Sequence, residues 1–223
     1  MATVKPKVEE TKVLDREKLI DLYMEYVLEN EATPKTVYKF CKANDIKEEE
    51  FYNFFGSFEA LQKGIWSRFF DHALEVIQKS EEFKSFSSRE KMLTFYFTFF
   101  EVLTANRSYV LFILKQYDRQ LRNLEQLKEL RKKVKNFASE IIRENNEEQQ
   151  SKILKRSDSV FSEGAWIQLL FLVKFWMDDN SPQFESTDVA IEKSVNTVFD
   201  LFDTTTLERV LDLGKFLWKE KMA

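Results

Sequence analysis

The chain has 223 residues, of which 43% are hydrophobic and 32% charged, so it carries enough apolar material for a packed core. Four Gly and three Pro leave few interruptions for long helices, and a single cysteine, Cys41, excludes an intrachain disulfide. A net charge of −4 gives no global attraction to nucleic acid, so any phosphate contact has to come from a local basic surface.

Residues 1–14 are charged and aperiodic and read as a flexible arm. From Arg16 to Asn30, Leu19, Leu22, Tyr23, Tyr26 and Val27 recur at helical spacing. Thr33 before Pro34 reads as the start of a short second helix reaching about Ala43, because the hydroxyl can cap and Pro suits the first helical position. A turn follows, then a third short helix over Lys47–Phe55, stopped at Gly56. Ser57 reads as the cap of a long fourth helix to about Lys79, with Leu61, Ile65, Phe69 and Ala73 on its inner stripe. Ser87–Glu90 is a capping box. The helix it opens, "MLTFYFTFFEVL", is apolar on nearly all sides and is expected at the centre of a larger domain.

A sixth helix starts near Arg107. A seventh aligns Leu127, Leu130, Val134, Phe137 and Ile141, and Arg143–Lys152 reads as a polar, mobile loop. An eighth helix is expected over Asp158–Met177, a ninth over Thr187–Phe202, and a tenth from a capping box at Thr205–Glu208. With no strand pattern, the expectation is an all-α fold of about nine or ten helices. The most apolar run, Ala165–Val173, is broken by Gln168 and followed by Lys174, which reads as too short and too polar to span a bilayer. The N-terminus has no apolar secretory segment, and a cytoplasmic protein is expected.

Three short helices, the second and third joined by a tight turn, are the parts of a helix-turn-helix unit. Across Thr36–Leu61 the sequence "TVYKFCKANDIKEEEFYNFFGSFEAL" resembles the signature of TetR-family transcriptional regulators. It has a Thr-Val opening, a small residue in the second helix, a turn, an aromatic F-Y-x-x-F and then S-x-E-A-L. Val37, Phe40, Cys41, Ile46, Phe51 and Phe55 stand at that family's buried positions. The resemblance implies a helix-turn-helix domain over residues 15–56 and a helical ligand-binding and dimerisation domain over 57–223. It implies that Thr36 and Tyr52 meet the DNA backbone and that the start of the third helix faces base edges. The DNA-facing set is then Lys35, Thr36, Lys47, Glu48, Glu49, Glu50, Tyr52 and Asn53. An equally good reading of Tyr52 is an aromatic brace for the three-helix core.

The departures from the family pattern are specific. Asp45 replaces the turn glycine, Lys47 the capping hydroxyl, and Phe58 the basic residue after the third helix. Over residues 34–61 four lysines stand against five acids, a net charge of −1. DNA affinity rests on cations that displace counterions, so these acids oppose it. Acids in a first helical turn also complement the helix dipole, and one carboxylate can accept from a cytosine amino group.

In the C-terminal part, aromatic residues on several helices are candidates to line an apolar pocket: Trp66, Phe70, Phe95, Phe99, Phe112, Tyr117, Trp166 and Phe175. Plain core packing is the competing reading. The eighth helix is apolar on more than one face, and a second apolar face calls for a partner. Gly164, Ala165, Ile191, Val195, Val198, Phe199 and Phe202 are expected at a four-helix homodimer interface. The acidic pairs Glu81/Glu82 and Asp178/Asp179 read as solvated. One His and one Cys cannot build a metal cluster, and no phosphate loop or nucleophile elbow is present, so no catalytic residue, metal or cofactor is assigned. The expected function is a homodimeric regulator that represses from double-stranded operator DNA under control of a small apolar ligand, without membrane association. The alternative is a TetR-fold protein that has lost DNA binding and holds a lipid or other hydrophobic ligand.

Overall fold

The computed structural model describes residues 14–116, 125–148 and 158–203. The arm up to residue 13, Tyr117 and the Thr205–Glu208 box lie outside the described residues. Among the described residues there are nine α-helices and no strand. They are α1 (Arg16–Asn30), α2 (Val37–Ala43), α3 (Glu48–Tyr52), α4 (Phe58–Gln78), α5 (Ser88–Ala105), α6 (Arg107–Gln116), α7 (Lys128–Glu148), α8 (Asp158–Asp178) and α9 (Glu185–Asp203). The fold is all-α. It divides into two compact units, one ending at Ile65 and one beginning at Trp66.

In the first unit each short helix is fixed by a local cap. The Asp15 carboxylate accepts from the Lys18 N–H at 2.7 Å and starts α1, whose Leu19, Ile20, Tyr23 and Val27 are buried. The start of α2 differs from the Thr33–Pro34 reading. Thr36 is the cap, its hydroxyl accepting from the Lys39 N–H at 3.2 Å, while Pro34 is buried ahead of the helix. A residue before proline is pushed into extended backbone, so Thr33 is poorly placed to continue into a helix. The end of α2 is a Schellman-type stop. The Ile46 N–H donates to the Cys41 carbonyl at 3.0 Å, and Asp45 takes the left-handed conformation with φ 54°. The residue standing in for the turn glycine thus adopts the backbone that glycine would supply. Helix α3 ends at Tyr52, earlier than the Phe55 expected. Ser57 caps α4 as expected, accepting from the Ala60 N–H at 3.2 Å.

In the second unit α5 is central, with Met92, Phe95, Tyr96, Phe99, Phe100 and Leu103 all buried. Its Ser87 box is formed, with the Glu90 carboxylate accepting from the Ser87 N–H at 2.8 Å. Helix α5 packs against α7 and α9, and α8 packs against both of those. Helix α7 runs to Glu148, so the first part of the expected Arg143–Lys152 loop is helical. Towards its end, Lys91 pairs with Glu144 at 2.7 Å and Arg143 with Asp158 at 2.8 Å. Helix α8 is long and apolar enough by composition to cross a membrane, but half of that window is buried inside this unit, as in a core helix. Its buried polar groups are matched: the Tyr96 hydroxyl donates to the Ala165 carbonyl at 2.9 Å, and the Gln168 amide donates to the Ser194 hydroxyl at 2.9 Å.

Candidate functional site

The core of the first unit is aromatic. The Phe58 ring lies 5.5 Å from Tyr23, 5.7 Å from Phe40 and 5.5 Å from Phe51, centroid to centroid. The position where a TetR-like sequence would place a cation is therefore occupied by a ring wedged among three others, which stabilises the unit and supplies no charge. Gly64 on α4 lets this core close. A Cβ there would meet an Arg16 guanidinium nitrogen and the Phe55 ring at 2.9 Å each, and Arg16 itself lies 4.9 Å above the Phe55 ring. The importance of Gly64 was not legible in the sequence, because the crowding residues come from α1 and from the segment that follows α3.

Around this core, Lys35, Thr36, Lys39, Lys47, Glu49, Tyr52 and Asn53 are exposed. Tyr52 is 52% exposed, although the edge of its ring touches Phe51, so a brace and an outward hydroxyl are compatible. The Thr36 hydroxyl, while accepting from Lys39, keeps its own proton for an outside acceptor. The three glutamates of α3 are not equivalent. The Glu50 carboxylate accepts from the Lys47 N–H at 2.8 Å and is part of the helix cap. Glu48 is half-buried. Burial, together with the charges of Glu48 and Glu50, pushes the Cys41 thiol up to about 11, so both carboxylates bear on the α2 side. Glu49 is exposed.

The expected ligand-pocket residues separate. Trp66, Phe70, Phe95 and Phe99 are buried and tightly packed. Phe95 stacks on Phe99 at 5.7 Å and lies 5.2 Å from Phe70, and the Trp66 indole N–H donates to the Gln126 side chain at 3.3 Å. Trp166 is buried and Phe112 is half-buried. Phe175 does not lie among them: it is 38% exposed. Nine helical residues separate Trp166 from Phe175, which is half a turn out of phase, so the two rings leave α8 on opposite sides. Phe175 instead lines an open groove of about 510 Å³ with Phe171, Lys174, Asp178, Asp179, Asn180, Ser181 and Ser186.

Four of the expected interface residues lie inside the single chain. Ala165, Ile191, Val195 and Phe199 are buried within the chain, and Phe199 meets Phe161 at 5.3 Å. The clean stripe of α9 is its inner face. Gly164 and Val198 are half-buried, and the Phe202 side chain lies outside the described residues. An apolar face left open lies on α8: Ile167, Phe171 and Phe175 at four-residue spacing, 65%, 54% and 38% exposed.

The corner between α8 and α9 is a built structure, not a solvated acidic pair. Asp179 is buried and accepts four hydrogen bonds: from the Ser181 N–H at 2.8 Å and hydroxyl at 2.7 Å, and from the Thr187 N–H at 2.9 Å and hydroxyl at 2.6 Å. Burial alone would raise its carboxyl, but these hydrogen bonds outweigh that and bring it down to about 2. From α6, Arg107 donates to the Trp176 carbonyl at 3.0 Å and the Asp179 carbonyl at 3.2 Å, closing the end of α8. Its guanidinium lies between the Trp176 ring at 4.4 Å and the Phe184 ring at 4.3 Å.

Two comparisons bear on what this arrangement is. No curated protein matches the chain. Residues 91–217 match a family model described as the tetracyclin repressor-like, C-terminal domain. That stretch exceeds half the chain and begins after Leu61, so it is independent of the motif at Thr36–Leu61. By that match, the chain belongs to the tetracyclin repressor-like family.

Proposed function

We propose that the protein is a homodimeric, DNA-binding transcriptional regulator whose C-terminal unit takes a small apolar ligand. The observation that carries this reading is the pairing of a C-terminal regulatory domain with a compact helix-turn-helix unit that presents Lys35, Thr36, Lys39, Lys47 and Tyr52 to solvent. Those groups are cations and hydroxyls of the kind that hold a phosphate backbone. Dimerisation through the open face of α8, at Ile167, Phe171 and Phe175, would cover apolar side chains that the protomer leaves in water. A ligand that binds one conformation of the dimer better than another would change DNA affinity by the difference in its two affinities. Repression is the expected direction.

A second reading is a member of the same family that no longer meets DNA and retains only a hydrophobic ligand. Phe58 favours it, because a core ring has taken the place of a phosphate-binding cation. The two readings separate in one titration. Full-length protein is added to a labelled duplex from upstream of its own gene at low and moderate salt, against an unrelated competitor duplex. Specific binding that weakens with salt supports the regulator. A folded dimer that binds no duplex even at low salt favours the second reading, and extraction of a co-purified lipid becomes its positive test.

A further inference from the structure

We infer that Arg107 is a latch that ties the direction of α6 to a strained corner between α8 and α9, and that the two open together as one element. The chain turns from α5 into α6 by 86° at Asn106, the residue between the two helices. Helix α6 therefore has no helical continuity with α5 to fix where it points. Local bonds end α5, with the Asn106 N–H on the Leu103 carbonyl at 3.1 Å and its side-chain amide on the Val102 carbonyl at 2.8 Å. Arg107, the first residue of α6, reaches instead to the corner, where its guanidinium lies between two rings.

The two rings are held differently. Trp176 is buried and anchored to α5, its indole N–H donating to the Thr104 hydroxyl at 3.0 Å. Phe184 is half-buried and stands on backbone that resists it: Gln183 and Phe184 are consecutive residues in the left-handed region, with φ 54° and 62°. Neither is glycine, and for a bulky side chain that conformation is costly, so it persists only where neighbours impose it. The Asp179 carboxylate takes the N–H groups of Ser181 and Thr187, which bracket the strained pair, and the Ser181 hydroxyl accepts from the Ser186 N–H at 3.1 Å. The further hold is the Phe184 ring on Arg107 at 4.3 Å. Loss of that contact releases strain in the corner and removes a partner from α6 in the same step. Asn180, Ser181 and Ser186 also line the groove beside Phe171 and Phe175, so opening of the corner reshapes that groove. The second unit thus contains an element with two arrangements that connects the start of α6 to the open face of α8.

The test is amide hydrogen exchange, resolved by residue, on the intact protein and two variants. The Ser181 and Thr187 N–H groups report the corner. The Val110 N–H, bonded to the Asn106 carbonyl at 3.1 Å, reports the first turn of α6, and Phe99 in the buried middle of α5 reports the unit as a whole. Phe184→Ala removes the ring from the latch. It is expected to speed exchange roughly tenfold at the corner, to speed Val110 by the same factor, and to leave Phe99 unchanged. Gln183 is exposed, so Gln183→Gly removes strain without removing packing, and it should slow the corner and Val110 together by roughly fivefold. A corner that responds to Phe184→Ala while Val110 does not overturns the coupling. Faster or unchanged exchange in Gln183→Gly overturns the stored strain, and the latch with it. If Phe184→Ala loosens the whole unit and speeds Phe99 as well, Gln183→Gly decides alone: joint slowing of the corner and Val110 supports the latch, and any other result overturns it.

Discussion

Asp45 and Asp179 show how one side chain carries a local structure. Asp45 holds a left-handed backbone that costs an L-residue energy and glycine none. Asp45→Gly is expected to raise stability by about 0.5 kcal/mol and Asp45→Val to lower it by about 1 kcal/mol or more, read by denaturant unfolding. Asp179 accepts four hydrogen bonds in a buried corner, and Asp179→Ala is expected to cost about 2–3 kcal/mol because it orphans Thr187 and Ser181. The same carboxyl has a pH signature. Its folded value lies near 2, below the ordinary 3.8, so its contribution is complete above the ordinary value and is lost as pH falls toward 2. Asp188, held above its usual range by burial and by the charges of Asp179 and Glu185, works in the opposite sense and is relieved as acid is added. Stability measured from about pH 5 down to about pH 2.5 should therefore converge between wild type and Asp179→Asn, and a gap that stays constant would show that the charge plays no part. The sequence hid this role because Asp179 looks like the second half of a helix-end acidic pair. The residues that bury it, Arg107 among them, are remote in sequence.

Among the elements, local signals were the legible ones. The Ser87–Glu90 box, the Ser57 cap and the inner stripe of α7 can be read from neighbours a turn away, and the structure forms each of them. Which side of α8 faces inward was not legible, because "FSEGAWIQLLFLVKFWM" offers apolar residues all round and its phase is set by packing on α7 and α9. That is why Ala165 was expected at an interface although it is buried, whereas on α9 the stripe of Ile191, Val195 and Phe199 was legible and only its role as the inner face was not. The end of α7 was misread as a loop for a related reason: a polar stretch continues a helix when its Glu and Arg find partners, as Glu144 and Arg143 do. In the first unit the departure at Phe58 has a packing reason. Phe58→Lys is expected to cost about 2 kcal/mol of stability by opening the ring cluster, even though it adds a cation where the family has one. Gly64→Ala should cost about 1–3 kcal/mol by driving a methyl against Phe55 and Arg16. Circular dichroism melts of both variants check this, and a neutral Phe58→Lys would mean that the ring is dispensable.

For the whole molecule, family membership rests on the C-terminal match and the nucleic-acid reading on the N-terminal geometry. The three helices of the first unit were legible because they and the turn between α2 and α3 have sequence punctuation. The division of labour among the glutamates was not, because it depends on which carboxylate each backbone N–H captures. The proposed homodimerisation through α8 makes its own prediction: Phe171→Glu with Ile167→Glu should convert a dimer to a folded monomer by analytical ultracentrifugation, since two charges would enter the face proposed to meet the partner. The most direct test of DNA binding is the salt dependence of affinity between the intact protein and a duplex selected as its preferred site. A regulator holding phosphates through Lys35, Lys39 and Lys47 predicts nanomolar-range binding at low salt that falls steeply with added salt, and a slope that becomes shallower by about one for each of these lysines changed to Ala. Binding that ignores salt, or that survives loss of all three lysines with its slope unchanged, would contradict it.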